Sequence, residues 1–349
     1  MCNVGGYVGD QPAAPILLEL MGRMEGFAGG DYTGIATVAD GKLHHAKVVG
    51  DLATLRRETD AERLPGTVGI VHSRTKSGGG VEWGHPFVDC TGRLAYIANG
   101  SAGYFADKRD ENAVARRLAA AGHAFRATAP EAIGRYPLLA DGTCVHTSDV
   151  MCHLIESLVD ECGGLAPAMR QAFHALPAEI VGLAVHANTP DCVVASRINQ
   201  PLMIGRGKGG TFLASTAMAF PPGTDWLMPM PVNAAATVRR DGIDILPFDS
   251  PPGPVANAMP WKAGRAAMLE ALADGKPKGF GALTKATAEL WPADMAPQRD
   301  MMTYEILRAL HREGTIRFEL ARVPGVADGT TAPFRQAALI TPRPAGQTR

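Results

Sequence analysis

The chain is 349 residues long, more than a single domain usually holds, so a large domain followed by a smaller one is expected. Its apolar content of 46% is enough for a sizeable core, while charged residues make up 20% and nearly cancel to a formal net charge of -1. That balance excludes bulk electrostatic attraction to nucleic acid or anionic lipid. The opening MCNVGGYVGD has no basic segment and no apolar core before a small-residue cleavage site, so no secretory signal is expected and a cytoplasmic address is the default. No stretch long enough to cross a bilayer is free of charge and proline.

In chain order, residues 4 to 8 and 33 to 38 are β-prone runs on either side of Ile16 to Met24, where Ile16, Leu17, Leu20, Met21 and Met24 fall at helical spacing. Further strands are predicted at Val68 to His72, Leu94 to Asn99, Ile180 to His186, Cys192 to Arg197, Leu202 to Gly205 and Thr211 to Ser215. Helices intervene at Glu111 to Ala121, Asp149 to Cys162 and Ala166 to Ala175. Strands interleaved with helices, several of them wholly apolar, argue for a covered sheet, and taken alone suit a doubly wound parallel one. The segment 249–260, DSPPGPVANAMP, is dense in Pro, Gly and small residues and reads as a linker between a domain at 2–248 and another at 261–342. Beyond it, helices are expected at Lys262 to Ala273, Gly279 to Leu290 and Gln298 to Glu313, then strands at Thr315 to Leu320 and Arg335 to Ile340. Three helices followed by a two-stranded ribbon is the order of a winged-helix unit.

The strongest chemical signal is Cys2. Removal of the initiator Met would leave a cysteine with a free α-amine, so one residue would supply both a nucleophilic thiol and, since such amines ordinarily titrate near pH ~8, the base that takes its proton. Asn99 and Gly100 follow a strand and open a turn, so an amide and a backbone N–H can point at one spot, as an oxyanion hole requires; Asn-Gly is also an ordinary turn signal. Arg74 closes a strand before the small, polar loop Thr75 to Gly80, and its fork suits a carboxylate.

The remaining candidates carry less. The other cysteines (Cys90, Cys144, Cys152, Cys162 and Cys192) show no disulfide or zinc-knuckle spacing. His44, His45, His72, His85, His146, His153 and His186 match no zinc pattern, so neither metal nor cofactor is expected. GRGKGG, residues 205–210, lacks a full phosphate-loop spacing and reads as a hairpin turn. His311-Arg312-Glu313 mixes signs of charge and forms no basic stripe, so no nucleic-acid partner is expected and the C-terminal unit is read as packing on the catalytic domain or a partner.

Taken together, MCNVGGYVGD, MEGFAGGDYTGIA, GIVHSRTKSGG, WGHPF, IANGSAG, HTSDVMCHLI and PLMIGRGKGGTFLAS follow the order seen in class II, N-terminal-nucleophile glutamine amidotransferases. Over residues 2 to 248 the chain resembles in particular the glutaminase half of glucosamine-6-phosphate synthase, and the synthase's sugar-isomerising half has no counterpart. The resemblance implies an α+β fold, a four-layer αββα sandwich, followed here by the small helical, winged-helix-like unit. It implies Cys2 as nucleophile, Asn99 and Gly100 as oxyanion hole, Arg74 on the substrate α-carboxylate with Ser77 in the covering loop, and His85 of WGHPF as a structural residue. Glutamine would be the substrate and a synthase partner the recipient of ammonia; homo-oligomerisation stays open and no membrane partner is expected.

Departures from the family pattern bear on the substrate. After Arg74 the family's Trp-Ala-Thr-His-Gly becomes Thr75, Lys76, Ser77, Gly78 and Gly79, and Asn3 replaces the usual Gly beside the nucleophile. The Asp that pairs with the glutamine α-ammonium falls on Thr147, and a neutral hydroxyl cannot replace a carboxylate. Asp149, two residues on, is the candidate to take its place, although Ser148 and Asp149 also read as the cap of the following helix. Three readings therefore stand: a glutaminase delivering ammonia, an N-terminal-nucleophile amidohydrolase acting on another amide, and a non-catalytic relative that binds or regulates.

Overall fold

The structure, a computed structural model, describes residues 2–76, 78–100, 110–250, 259–292, 296–325 and 334–343. Ser77 and most of the predicted linker, residues 251–258, therefore lie outside the described residues.

Strand β1 (Asn3–Gly9) leads into helix α1 (Ala13–Met24), which buries Leu17, Leu18, Leu20, Met21 and Met24 on its apolar stripe. The hairpin β2 (Tyr32–Ala39) and β3 (Lys42–Val49) follows, then α2 (Leu52–Glu58), started by the Asp51 carboxylate accepting from the Thr54 amide, and β4 (Val68–Arg74). Next come β5 (Phe87–Val88), β6 (Leu94–Asn99), α3 (Glu111–Ala120), the short pair β7 (Thr128–Ala129) and β8 (Cys144–Val145), α4 (Thr147–Leu158) and α5 (Leu165–Ala175). The domain closes with β9 (Val181–His186), β10 (Thr189–Arg197), β11 (Met203–Gly207), β12 (Gly210–Ala214), β13 (Trp226–Pro229), β14 (Ala234–Arg239) and β15 (Ile243–Pro247).

These strands make one sheet in the order β13-β11-β12-β1-β4-β2-β3 and a second in the order β15-β14-β10-β9-β6-β5. Their neighbours pair antiparallel, so the parallel sheet that interleaving alone suggested is not formed. The reason is visible between β6 and β9: the intervening chain includes two packed helices, α4 and α5, which turn it back so that β9 pairs antiparallel beside β6. Alternation then sorts the side chains. Val4 and Val8 of β1 face Ile97, Leu183 and Val193 of the other sheet, whereas Tyr7 faces the cluster under α1. With α4 and α5 on the outer side of the second sheet, the domain is the four-layer αββα sandwich.

The C-terminal unit contains α6 (Trp261–Leu272), β16 (Lys278–Gly279), α7 (Phe280–Ala286), α8 (Ala296–Arg312), β17 (Ile316–Pro324) and β18 (Phe334–Pro342). Its sheet is β16-β18-β17, one short strand more than the expected two-stranded ribbon. It has a core of its own, with Met268, Leu272, Phe280, Ile306, Leu310 and Ile340 among its members. It also docks on the sandwich: Met301 joins the core under α1, and the Ala338 amide donates to the Gly26 carbonyl at 2.9 Å.

Local sequence pattern misses β3, α2 and β13 to β15. β3 is an outer strand reading KLHHAKVV, half polar and with Val48 its single buried residue, so it offers neither an apolar run nor a clean alternation. The pattern also places the start of α4 too late: the helix begins at Thr147, and its cap is the His146 Nδ1, which accepts from the Ser148 amide at 3.0 Å. Ser148 and Asp149 lie within the first turn instead of capping it.

Candidate active site

Cys2 precedes β1, which lies between β12 and β4 in the middle of its sheet, and Asn99 ends β6 of the other sheet. The edge where both sheets expose these ends brings them together across 97 residues of sequence. The Cys2 N–H donates to Asn99 Oδ1 at 3.4 Å, and Asn99 Nδ2 donates back to the Cys2 carbonyl at 3.3 Å. This two-point clasp fixes the nucleophile's backbone and leaves the second Nδ2 hydrogen for another acceptor. The Cys2 Sγ lies 3.8 Å from the Thr75 hydroxyl.

A cavity of about 380 Å³ opens here, with Cys2, Arg74, Thr75, Gly100, Thr147 and Glu179 in its walls. Gly100 is required sterically: a Cβ there would stand 2.9 Å from the Glu179 Cα. Arg74 is buried at the end of β4, where its guanidinium donates to the Trp83 carbonyl and to the Tyr136 hydroxyl, the latter at 2.9 Å, with its carbon 5.2 Å from the centre of the Tyr32 ring. Those bonds hold the fork rigid in the wall, and its remaining N–H groups leave donors for an anion. The loop after Arg74 is tied by Asp31, whose Oδ2 accepts from the Lys76 amide at 2.9 Å.

Behind the nucleophile stand His72, His85 and His146. His72 and His85 pack with ring centres 3.9 Å apart and planes tilted by 38°, and His72 Nε2 bonds the Ala98 carbonyl at 2.8 Å. Burial pushes His72 down to about 3 and holds His85 and His146 well below the usual imidazole range, so all three are neutral packing and hydrogen-bonding groups.

The far wall is acidic. The Thr147 hydroxyl donates to Glu111 Oε2 at 2.6 Å, so it is turned towards a buried carboxylate. Glu179, just ahead of β9, is buried and accepts from the Tyr96 hydroxyl and from Ser148 Oγ, which lies 3.1 Å from His85 Nε2. Since Ser148 donates to Glu179, His85 Nε2 is the donor to Ser148. Burial raises the Glu179 carboxyl to about 7 against the opposing pull of those hydrogen bonds, and the nearby Glu111 adds to the rise.

Of the residues expected from sequence, Cys2, Arg74, Gly100 and Thr147 share the cavity wall, and Asn99 holds Cys2. Ser77 lies outside the described residues. Asp149 is elsewhere: its Oδ2 accepts from the Arg126 and Ala127 amides, both at 2.8 Å, and its Oδ1 faces His153. A residue two positions after Thr147 on a helix points some 200° away from it, so Asp149 does not stand in for the missing carboxylate. Sequence reasoning missed Glu179 and Glu111, because nothing along the chain reveals that a lone acid before β9 and another at the start of α3 converge on the first turn of α4, Glu179 on Ser148 and Glu111 on Thr147.

No protein-family model matches the chain. Curated relatives do: glutamine–fructose-6-phosphate aminotransferase (isomerizing) of Streptomyces coelicolor is 34% identical over 270 residues, 76% of this chain and 40% of that protein. The protein of the same name from Thermosynechococcus vestitus is 32% identical over 254 residues, 71% of this chain and 37% of its own length. The chain thus spans about two fifths of the curated relatives it matches. Among solved structures, the glutamine phosphoribosylpyrophosphate amidotransferase of B. subtilis, complexed with ADP and GMP, superposes with a TM-score of 0.58 at 17% identity, covering 82% of this chain and 64% of that one. This last likeness concerns the fold.

Proposed function

The chain belongs to the class II, N-terminal-nucleophile glutamine amidotransferases, and from that premise we propose that it hydrolyses a side-chain amide, glutamine first, through a thioester at Cys2 and supplies the ammonia to a synthase partner. The observation that carries this reading is the convergence of the Cys2 thiol, the Asn99 clasp, Gly100 and the Arg74 fork on one cavity. With Met1 removed, the amine held by Asn99 Oδ1 takes the thiol proton. The thiolate attacks the amide carbon, and the oxyanion accepts from Asn99 Nδ2 and the Gly100 N–H. The amine returns the proton to the departing nitrogen, ammonia leaves, and water then cleaves the thioester to free the acid and the thiol.

Arg74 holds the substrate carboxylate, and Glu179 takes the part that the family gives to an aspartate at the position of Thr147. An α-ammonium beside Glu179 draws its proton off and pairs with the carboxylate. This argues against substrates without a cationic group near the amide, and it keeps glutamine ahead of other amides. The helix, strand, helix, helix, hairpin order of the C-terminal unit supports its reading as winged-helix-like, and its docking beside Asn3 supports a role in packing against the catalytic domain.

Intact mass shows whether Met1 is removed, and ammonia release from glutamine is then compared between wild type and Cys2→Ala. The expected result is a processed protein whose activity falls by at least about 10⁴-fold in the variant. Retained Met1, or ammonia release unchanged in Cys2→Ala, overturns the reading. Processed protein that is inactive on glutamine but active on another amide selects the second reading.

A further inference from the structure

Away from the cavity, three metal-type ligands that are far apart in sequence meet on one side of α4. Cys90 stands in the turn between β5 and β6, His123 follows α3, and His153 projects from the middle of α4. His123 Nδ1 and His153 Nδ1 are 3.1 Å apart, Cys90 Sγ is 3.9 Å from His123 Nδ1, and ligand atoms from all three side chains lie within 4.8 Å of one another. A tetrahedral zinc with its usual bond lengths to N and S sets its ligands about 3.3 Å apart for N···N and about 3.6 Å for N···S. The two spacings that His123 makes are within a few tenths of an ångström of those values, and with all three ligand atoms inside 4.8 Å side-chain rotation of the exposed Cys90 brings its sulfur to the remaining distance.

The surroundings have the form of a supported metal site. His153 is fully buried, and its other ring nitrogen, Nε2, faces Asp149 Oδ1 at 3.5 Å, neither atom having a full hydrogen bond. A carboxylate behind a ligating imidazole fixes its tautomer and orientation. Asp149 Oδ2 meanwhile binds the amides of residues 126 and 127, so the same carboxylate steadies the segment that carries His123. Phe125 packs against the His153 ring at 5.0 Å and screens one side. Cys90 is exposed, which leaves the fourth position on the solvent side for water.

We propose that Cys90, His123 and His153 bind a divalent zinc-type cation, with Asp149 orienting His153. Binding releases the Cys90 thiol proton to solvent and places the metal on the resulting thiolate and two neutral imidazoles. The metal would strap the β5–β6 turn and the end of α3 to α4, whose first turn presents Thr147 and Ser148 to the cavity. Sequence spacing gave no sign of it, because the ligands are 33 and 30 positions apart and come from a turn, a loop and a helix.

The test uses the full chain, stripped of metal under reducing conditions and titrated with Zn²⁺ against a chromophoric chelator, and with Co²⁺ followed by absorption. One metal per chain and a thiolate-to-cobalt charge-transfer band are expected. Cys90→Ser removes that band, and Cys90→Ser and His123→Ala each weaken Zn²⁺ by at least about a hundredfold; Asp149→Asn weakens it by about ten- to a hundredfold. Cys90 and His123 lie towards the surface, so these variants keep the fold, which circular dichroism checks. Zn²⁺ raises the melting temperature of wild type and not of Cys90→Ser. Absence of the cobalt band, or Zn²⁺ affinity unchanged in both surface variants, overturns the proposal and leaves His123 and His153 as a plain hydrogen-bonded pair.

Discussion

The two ends of the cavity are built differently. At the nucleophile end Cys2, Arg74, Asn99 and Gly100 sit at strand termini of two packed sheets, so their relative positions are fixed by the ladders that pair β1 with β4 and by the face-to-face packing of the sheets. At the acidic end Glu111 and Thr147 start two helices, and Glu179 sits in the approach to β9. Bond cleavage demands sub-ångström placement of a few atoms, and the proposed function assigns it to the rigid part. Recognition of a substrate charge demands only a carboxylate nearby, so it can pass from one element to another, as the proposed function has it pass from the position of Thr147 to Glu179.

Changes at the two ends should therefore separate kcat from KM. After Cys2→Ala, the largest expected effect is at the two residues of the nucleophile end that follow Cys2 in the mechanism. Asn99→Ala removes the clasp on Cys2 and the proposed oxyanion donor, and Gly100→Ala forces the Glu179 backbone away; each should lower kcat by about 10²- to 10³-fold in steady-state ammonia release. A Gly100→Ala enzyme with normal kcat would show that the cavity is looser than its geometry and that the ends do not touch functionally.

Next in size, Glu179→Gln should raise KM for glutamine by about ten- to a hundredfold with kcat changed far less, as loss of a charge-assisted contact implies. The pH profile sharpens this. Glu179 ionises only as pH rises through about 7, so KM should fall over that range in wild type and lose the inflection in Glu179→Gln. The same raised pKa acts on stability. The folded carboxyl keeps up to about pH 7 a proton that an unfolded glutamate, which titrates at its ordinary 4.5, has already released, so folding loses free energy as pH rises from 4.5 through 7. Between pH 5 and pH 8 the urea midpoint should drop further for wild type than for Glu179→Gln.

The smallest effect tests the C-terminal unit against both ends. Tyr304 of α8 donates to Asn3 Oδ1 at 3.3 Å, while Asn3 Nδ2 donates to the Met24 and Ala28 carbonyls, both at 2.9 Å. Asn3, which replaces the family's glycine, is thus the residue that ties β1 to α1 and α8. Tyr304→Phe leaves a buried acceptor without this donor and should cost about 1 kcal/mol in denaturant unfolding, with KM unchanged. A change in KM instead would couple α8 to the cavity.

The nucleophile end was legible in the order of residues alone. Cys2, Arg74, Asn99 and Gly100 fall in short motifs whose succession along the chain is itself informative, and each residue type matches one chemical task. Most helices and apolar strands were legible too, because burial imposes a periodicity that is visible locally. Folding in three dimensions was needed to set the strand directions, the convergence of Glu111, Thr147 and Glu179, the engagement of Asp149 away from the cavity, and the meeting of Cys90, His123 and His153. Those depend on how helices return the chain to a sheet and on contacts between residues 30 to 70 positions apart, for which a single sequence holds no local trace.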